Sequence, residues 1–312
     1  MQVKTIPLLN TQIENNIFLA PMAGYTDYAF RNLSLKCGYG FCFTELVSAK
    51  GMFFNSKGTE ILLRSGEGIS KTGAQIFGAD EYYMRKACED ERLKDFPIID
   101  INMGCPVPKV FNNGEGSALL LDIKKAEKII KECVKSGKNI SIKIRIGQKK
   151  GDDVATEYAK MAEDNGAVMV TIHGRVREDY YSGEPNYNAI YNAKKAVNIP
   201  VIANGGIFTT DDADKMINET GADGVMIARG ALTDISLISK LLRKSQSVNK
   251  KDFIFSQLNE MTKLYGEKRA NLEFRKFAPY YLKGIENIKD KKLKLQTANS
   301  IIEIKEIISQ IF

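Results

Sequence analysis

Asp100-Ile101-Asn102-Met103-Gly104-Cys105-Pro106-Val107-Pro108-Lys109 gathers an amide, a thiol and an ammonium group into one short stretch. It opens as an apolar run, Pro97 to Asn102, and breaks into a loop at Gly104 and the two prolines. Cys105 therefore stands just past the carboxyl end of a strand, the place where parallel α/β proteins carry out chemistry. Pro106 limits the backbone beside it and fixes where the sulfur points. The competing reading is a small buried hydrophobe, as most free cysteines are. Asp100 lies inside the strand and Glu45 stands alone, so no carboxylate cluster suits a divalent metal. No Ser-His-Asp arrangement is visible, which disfavours hydrolysis.

Other reactive groups sit at the ends of similar runs. Pro21, Met22 and Ala23 follow the first, and Gln75 lies in the third. Asn102 closes the fourth, Lys143 and Arg145 the fifth, and His173 (the only histidine) and Arg175 the sixth. Asn204, Gly205 and Gly206 follow the seventh, and Ala228 and Arg229 the eighth. Ile142 and Ile144 flank Lys143, so strand alternation points its side chain to the opposite face. Cations and amides around one opening suit a phosphorylated, electron-accepting ring. A flavin needs donors to its carbonyls and a positive charge near N1, which Lys143 can supply.

The elements that must position these groups are eight β-like runs: Ile17–Ala20, Phe41–Thr44, Thr72–Phe77, Pro97–Asn102, Ile140–Arg145, Val168–His173, Pro200–Asn204 and Gly224–Ala228. Most are continuously apolar, as strands covered on both faces are. Helical patterns lie between many of them, over Ile123–Ser136, Asp152–Asn165 and Asp211–Thr220, the last with Thr209 and Thr210 before it and Gly221 after it. Eight such units predict a (β/α)8 TIM barrel, and glycines after the seventh and eighth strands suit its recurrent phosphate site. A doubly wound sheet would place a Gly-rich turn early, after its first strand.

Beyond about Leu232 the pattern is all-helical, which predicts a barrel over 1–240 and a helical C-terminal domain over 241–312. Apolar stripes recur at Phe253, Ile254, Leu258, Met261 and Leu264 and again at Ile301, Ile304, Ile307, Ile308 and Ile311. Residues 241–312 hold 15 Lys and Arg against 8 Asp and Glu, while the remainder holds 30 of each. The whole formal excess of +7 thus belongs to the last quarter, which points to a polyanionic partner. No apolar run reaches the roughly 20 residues that span a bilayer. The start has no signal-peptide core, and Cys37, Cys42, Cys88, Cys105 and Cys133 form no metal or disulfide pattern, so a cytoplasmic protein without metal is expected.

Several ordered motifs resemble those of the tRNA-dihydrouridine synthases, flavin enzymes of RNA modification. They are Leu19 to Asp27 with Phe30-Arg31, Thr44-Glu45, Gln75 to Gly78, Asp100 to Pro106, Lys109-Val110 and Gly116 to Leu119. Further on come Lys143 to Arg145, His173 to Arg175, Tyr180 to Gly183, Asn204 to Gly206 and Ala228 to Gly230. The resemblance covers nearly the whole chain, though many relatives carry Asp where this chain has Gly206, and the C-terminal part matches only loosely. It implies FMN across the barrel mouth, reduced by NADPH or NADH. Pro21, Met22 and Ala23 would lie beside the ring, Gln75 and Lys143 at its polar edge, and His173 against it. Asn204, Gly205, Gly206, Ala228 and Arg229 would hold the phosphate. Cys105 would protonate C5 of a tRNA uridine, with Asn102 and Arg145 orienting the base and Arg175, Arg177 and Lys109 extending the RNA surface. A protein acting as a monomer is expected. The rivals are a small-molecule flavin oxidoreductase of the dihydroorotate dehydrogenase type and an RNA-binding barrel without chemistry. The first leaves the segregated charge unexplained; Cys105, Lys143 and His173 together argue against the second.

Overall fold

The computed structural model of the chain describes residues 1–8 and 11–312. Eight parallel strands form the centre: β1 (Ile17–Leu19), β2 (Phe41–Phe43), β3 (Thr72–Phe77), β4 (Ile99–Met103), β5 (Ile140–Arg145), β6 (Met169–His173), β7 (Val201–Asn204) and β8 (Gly224–Ile227). Neighbours pair in sequence order. β8 pairs with β1 through Val225–Ile17, and β2 pairs with β3 through Cys42–Thr72, so the sheet closes on itself. Seven of the expected runs contain one of these strands, and the fourth, Pro97–Asn102, overlaps β4, which continues to Met103. β4 begins two residues later than its apolar run because Pro97 has no N–H to give a ladder.

Alternation along the strands divides the apolar residues between two faces. Ile17, Leu19, Ile101, Ile142, Ile144, Val170, Ile172 and Val225 join the helices in an outer layer. Phe18, Phe41, Phe43, Met169, Ile202 and Met226 fill the inside. Gly73 makes that inner packing possible: a Cβ there would fall 2.5 Å from the Phe43 ring. A short antiparallel hairpin, Ile6–Leu8 with Thr11–Ile13, is an element the sequence patterns do not announce. Its Ile6 and Ile13 plug the amino-terminal end of the barrel, leaving the opposite end for a site.

The connecting helices follow local chemistry. Asp27 caps Tyr28–Cys37 by accepting from the Phe30 N–H at 2.9 Å. Thr209 and Asp212 form a capping box on Thr210–Thr220, which ends at Gly221 with φ +62°. The patterns over 123–136 and 152–165 become helices Ile123–Val134 and Ala155–Asp164.

The C-terminal segment is helical over Lys250–Tyr265, Glu267–Phe274, Ala278–Tyr281, Lys289–Thr297 and Ile301–Ser309. It packs on the first barrel helix. The Phe30 ring lies 5.8 Å from both Phe253 and Phe277, and the Tyr265 hydroxyl donates to Asp27 at 3.2 Å. Phe274, Phe277 and Tyr281, which the sequence interleaves with basic residues, are fully buried here. They belong to the core; Arg275 and Lys276 between them are half-buried, the first donating to the Ala298 carbonyl at 2.9 Å and the second to Glu273.

Candidate active site at the barrel mouth

Fifteen of the residues singled out above, Arg175 included, border one cavity of about 360 Å³ at the carboxyl ends of the strands; Lys109 and Arg177 do not line it. That volume suits a small-molecule site. Pro21, Met22 and Ala23 form one wall. Their loop is pinned by the Met22 N–H donating to Thr26 Oγ1 at 2.8 Å and by Tyr25 and Thr26 N–H donating to the Met22 carbonyl.

Cys105 is 8% exposed and faces this cavity. Its N–H donates to Asn102 Oδ1 at 2.9 Å, and its carbonyl accepts from the Ser117 N–H and hydroxyl. Burial pushes the thiol pKa up, against smaller opposing pulls from the Val107 N–H and the charge of Arg145. The sulfur therefore carries its proton at neutral pH.

Lys143 rises into the cavity and donates to Asn204 Oδ1 at 3.0 Å, while Asn204 Nδ2 donates to the Met226 carbonyl at 2.7 Å. Burial, with the charge of Arg145, brings the Lys143 pKa down to about 8. His173 is buried 3.2 Å from Arg175 Nη1. Burial and the charges of Arg145, Lys143, Arg175 and Arg229 hold it well below an ordinary histidine. Its Nε2 faces a guanidinium, which can only donate, so the ring is neutral and accepts there.

Arg145 and Arg175 tie loops together. Arg145 donates to the carbonyls of Gly104, Val176 and Tyr180 at 2.8–3.0 Å, joining the Cys105 loop to the loop after β6. Arg175 donates to the Ser182 and Gly183 carbonyls. Much of each guanidinium is thus committed inside the protein. Gln75 and Asn102 likewise bond one another at 3.0 Å.

Lys143, Arg145, Arg175 and Arg229 line the cavity, and no carboxylate does among the described residues. A phosphorylated ring fits this field. Gly205 and Gly206 have φ of +127° and +70°, and a Cβ at 205 would fall 3.0 Å from His173 and 3.1 Å from Arg175. A Cβ at 206 would come within 3.2 Å of Pro185, which explains the glycine here. The N–H groups of Gly205 and Gly206, in the turn after β7, have no backbone acceptor among the described residues, so two donors remain beside the cavity.

The cavity also has walls that sequence reasoning missed. Tyr25, Leu46, Tyr181, Phe208 and Tyr280 line it. Arg229 lies 4.5 Å from the Tyr181 ring centre and 5.5 Å from that of Phe208. Tyr280, from the C-terminal helices, meets Tyr25 edge-on at 5.4 Å. Position next to a glycine turn is the one signal that points at Phe208; Tyr280 is marked only by its place in a stretch that mixes bases with aromatics, after Arg275-Lys276.

Fold and site together define a TIM barrel with a cationic mouth. Solved structures share that fold. One is morphinone reductase in complex with tetrahydroNAD (TM-score 0.56, 10% identity, 79% of this chain and 92% of that one). Another is a variant of NCR from Zymomonas mobilis (TM-score 0.55, 14% identity, 84% and 96%). Residues 18–309 match the family model for dihydrouridine synthase (Dus), and the chain belongs to that family. It is 34% identical to the tRNA-dihydrouridine synthase B of Pasteurella multocida, over 95% of this chain and 91% of the relative. It is 32% identical to a probable tRNA-dihydrouridine synthase of Rickettsia bellii, over 98% of each.

Proposed function

We propose that this protein reduces a uridine of tRNA to 5,6-dihydrouridine, with FMN as its flavin, NADPH or NADH as reductant and Cys105 as the acid. The observation that carries the reading is a protonated thiol lining the same cavity as Lys143, Arg229 and the Gly205-Gly206 turn. When bound, FMN supplies a hydride to C6 of the uracil, having drawn it from the nicotinamide. Every other contribution comes from the chain. Cys105 gives a proton to C5, which the conjugated carbonyl has made basic. Asn102, Arg145 and Arg175 position the base and its loops. Pro21, Met22 and Ala23 bound the ring, Gln75, Lys143 and His173 face its polar side, and Asn204, Gly205, Gly206, Ala228 and Arg229 take the phosphate. The target base must leave its stack to enter.

The C-terminal helices would hold the RNA backbone. Lys283 stands 5.5 Å from the Phe208 ring, so the basic region reaches the cavity rim. Replacing Lys289, Lys292 and Lys294 by Gln is expected to weaken tRNA binding. It should also flatten the salt dependence by about 0.7–0.9 in log–log slope for each phosphate no longer neutralised. Filter binding across salt concentrations measures both; an unchanged slope places the RNA elsewhere.

The deciding experiment is nucleoside mass spectrometry on tRNA from cells lacking the gene, with position mapping, alongside identification of the flavin released by the purified protein. Loss of dihydrouridine at defined positions is the expected result. Unchanged dihydrouridine at every position would remove the tRNA assignment, and a protein that cannot bind FMN would remove the cofactor.

A further inference from the structure

The inner face of the barrel carries a polar chain that the roles above leave unexplained. Gln75 on β3, Asp100 on β4 and Ser141 on β5 are register neighbours, so their side chains meet at one level. Asn102, two residues along β4, stands one level nearer the mouth. Asp100, 1% exposed, accepts from Ser141 Oγ at 2.6 Å and from Gln75 Nε2 at 2.7 Å. Gln75 Oε1 accepts from Asn102 Nδ2 at 3.0 Å. Asn102 Oδ1 accepts from the N–H of Cys105 at 2.9 Å and of Gly104 at 3.2 Å.

A side-chain amide keeps its shape when turned over, but its two ends have opposite hydrogen-bonding sense. A carboxylate only accepts. Asp100 therefore draws the nitrogen of Gln75, which turns the Gln75 oxygen to Asn102, which turns the Asn102 oxygen to the loop. We propose that Asp100 is a positioning residue for the reaction assigned above: it sets the polarity of this chain and so holds the Gly104–Cys105 backbone, and with it the thiol, in place for proton transfer. Burial pushes its carboxyl up to about 6, against Ser141, Gln75 and the charge of Lys143, so it is ionised at neutral pH. Because the Asn102 oxygen already accepts two N–H groups, what Asn102 can still offer a ligand is its second N–H. A ligand atom meeting it must be an acceptor, such as a carbonyl oxygen.

The proposal rests on the functional reading only for what the thiol does; the polarity itself is tested without RNA. In the full-length, flavin-loaded protein, Asp100→Asn keeps the shape but removes the fixed acceptor, so both polarities become accessible. Amide exchange across Gly104–Cys105 is expected to quicken by at least ~10-fold, the loss of a buried backbone partner. Oxidation of the reduced enzyme by tRNA should slow by roughly 10- to 100-fold, as misplacement of a reacting group does, with KM for tRNA and reduction by NADPH little changed. Adding Gln75→Glu moves the carboxylate one link along. It again only accepts, from the new amide at position 100 on one side and from Asn102 on the other, and restores the original sense. The double variant is therefore expected to regain near-wild-type exchange at Gly104–Cys105; its turnover is not a readout, since position 75 faces the cofactor. Wild-type exchange in the single variant, or exchange in the double no slower than in the single, overturns the proposal. If Asp100→Asn does not fold, a folded and protected double variant supports it and an unfolded one overturns it. A wild-type protein that makes no dihydrouridine sinks the functional reading and leaves the exchange test standing.

Discussion

Cys105→Ala is expected to bind FMN and accept electrons from NADPH as the wild type does, yet form dihydrouridine about 10²- to 10⁴-fold more slowly, the usual contribution of a positioned acid. The substitution removes one atom from the cavity wall. The backbone bonds that shape the loop, from the Cys105 N–H to Asn102 and from Ser117 to the Cys105 carbonyl, do not involve the sulfur. The fold and the flavin side should therefore be spared. Serine should not substitute, because an alcohol is a far weaker acid than a thiol. Burial already raises the thiol pKa, so the wild type keeps its proton across the neutral range. Single-turnover mixing of reduced enzyme with unmodified tRNA separates the two half-reactions. An alanine variant within a few-fold of wild type in the second half-reaction would end the acid role.

Lys143→Met should cost function and add stability to the flavin-free protein. The ammonium is the proposed cationic donor to the polar edge of the ring, and losing one preorganised donor typically costs 10²–10³ in rate. Its folded pKa of about 8 lies below the ordinary lysine value. Between those two values the unfolded chain binds a proton that the folded chain does not, so stability rises with pH through that window. At pH 7 the charged form is the one the fold disfavours, by about 3 kcal/mol from a shift of this size. The methionine variant escapes that cost. FMN affinity of the wild type should fall as pH rises through about 8 and Lys143 discharges, while the variant binds weakly at every pH. Fluorescence titration of FMN at several pH values reads this directly. A variant with wild-type affinity and the same pH profile would take Lys143 out of the cofactor site.

The barrel is legible because its strands are buried on both faces. That makes several of them continuously apolar runs such as Phe41–Phe43 and Gly224–Ile227, which stand out from helical spacing. The hairpin at Ile6–Leu8 and Thr11–Ile13 is not, since Pro7 interrupts one short strand and Thr11 and Gln12 make the other mostly polar. Lys143 can be aimed into the barrel from its isoleucine neighbours alone. Asp100 cannot be given a task that way, because its meaning depends on which residues stand level with it on β3 and β5. Phe274, Phe277 and Tyr281 read as aromatics dispersed in a basic stretch and prove to be core. Tyr280, their neighbour, turns the other way and reaches a cavity built by residues distant along the chain.

That last placement limits how the chain can be recombined. The helices after Lys250 supply Tyr280 to the cavity wall and Phe253 and Phe277 to the cover over Phe30. Exchanging them wholesale with those of a relative would strip one side of the reaction chamber and uncover an aromatic seam. Any retargeting to a different uridine would have to proceed by small changes on the outward side of those helices, because the inward side is also part of the catalyst.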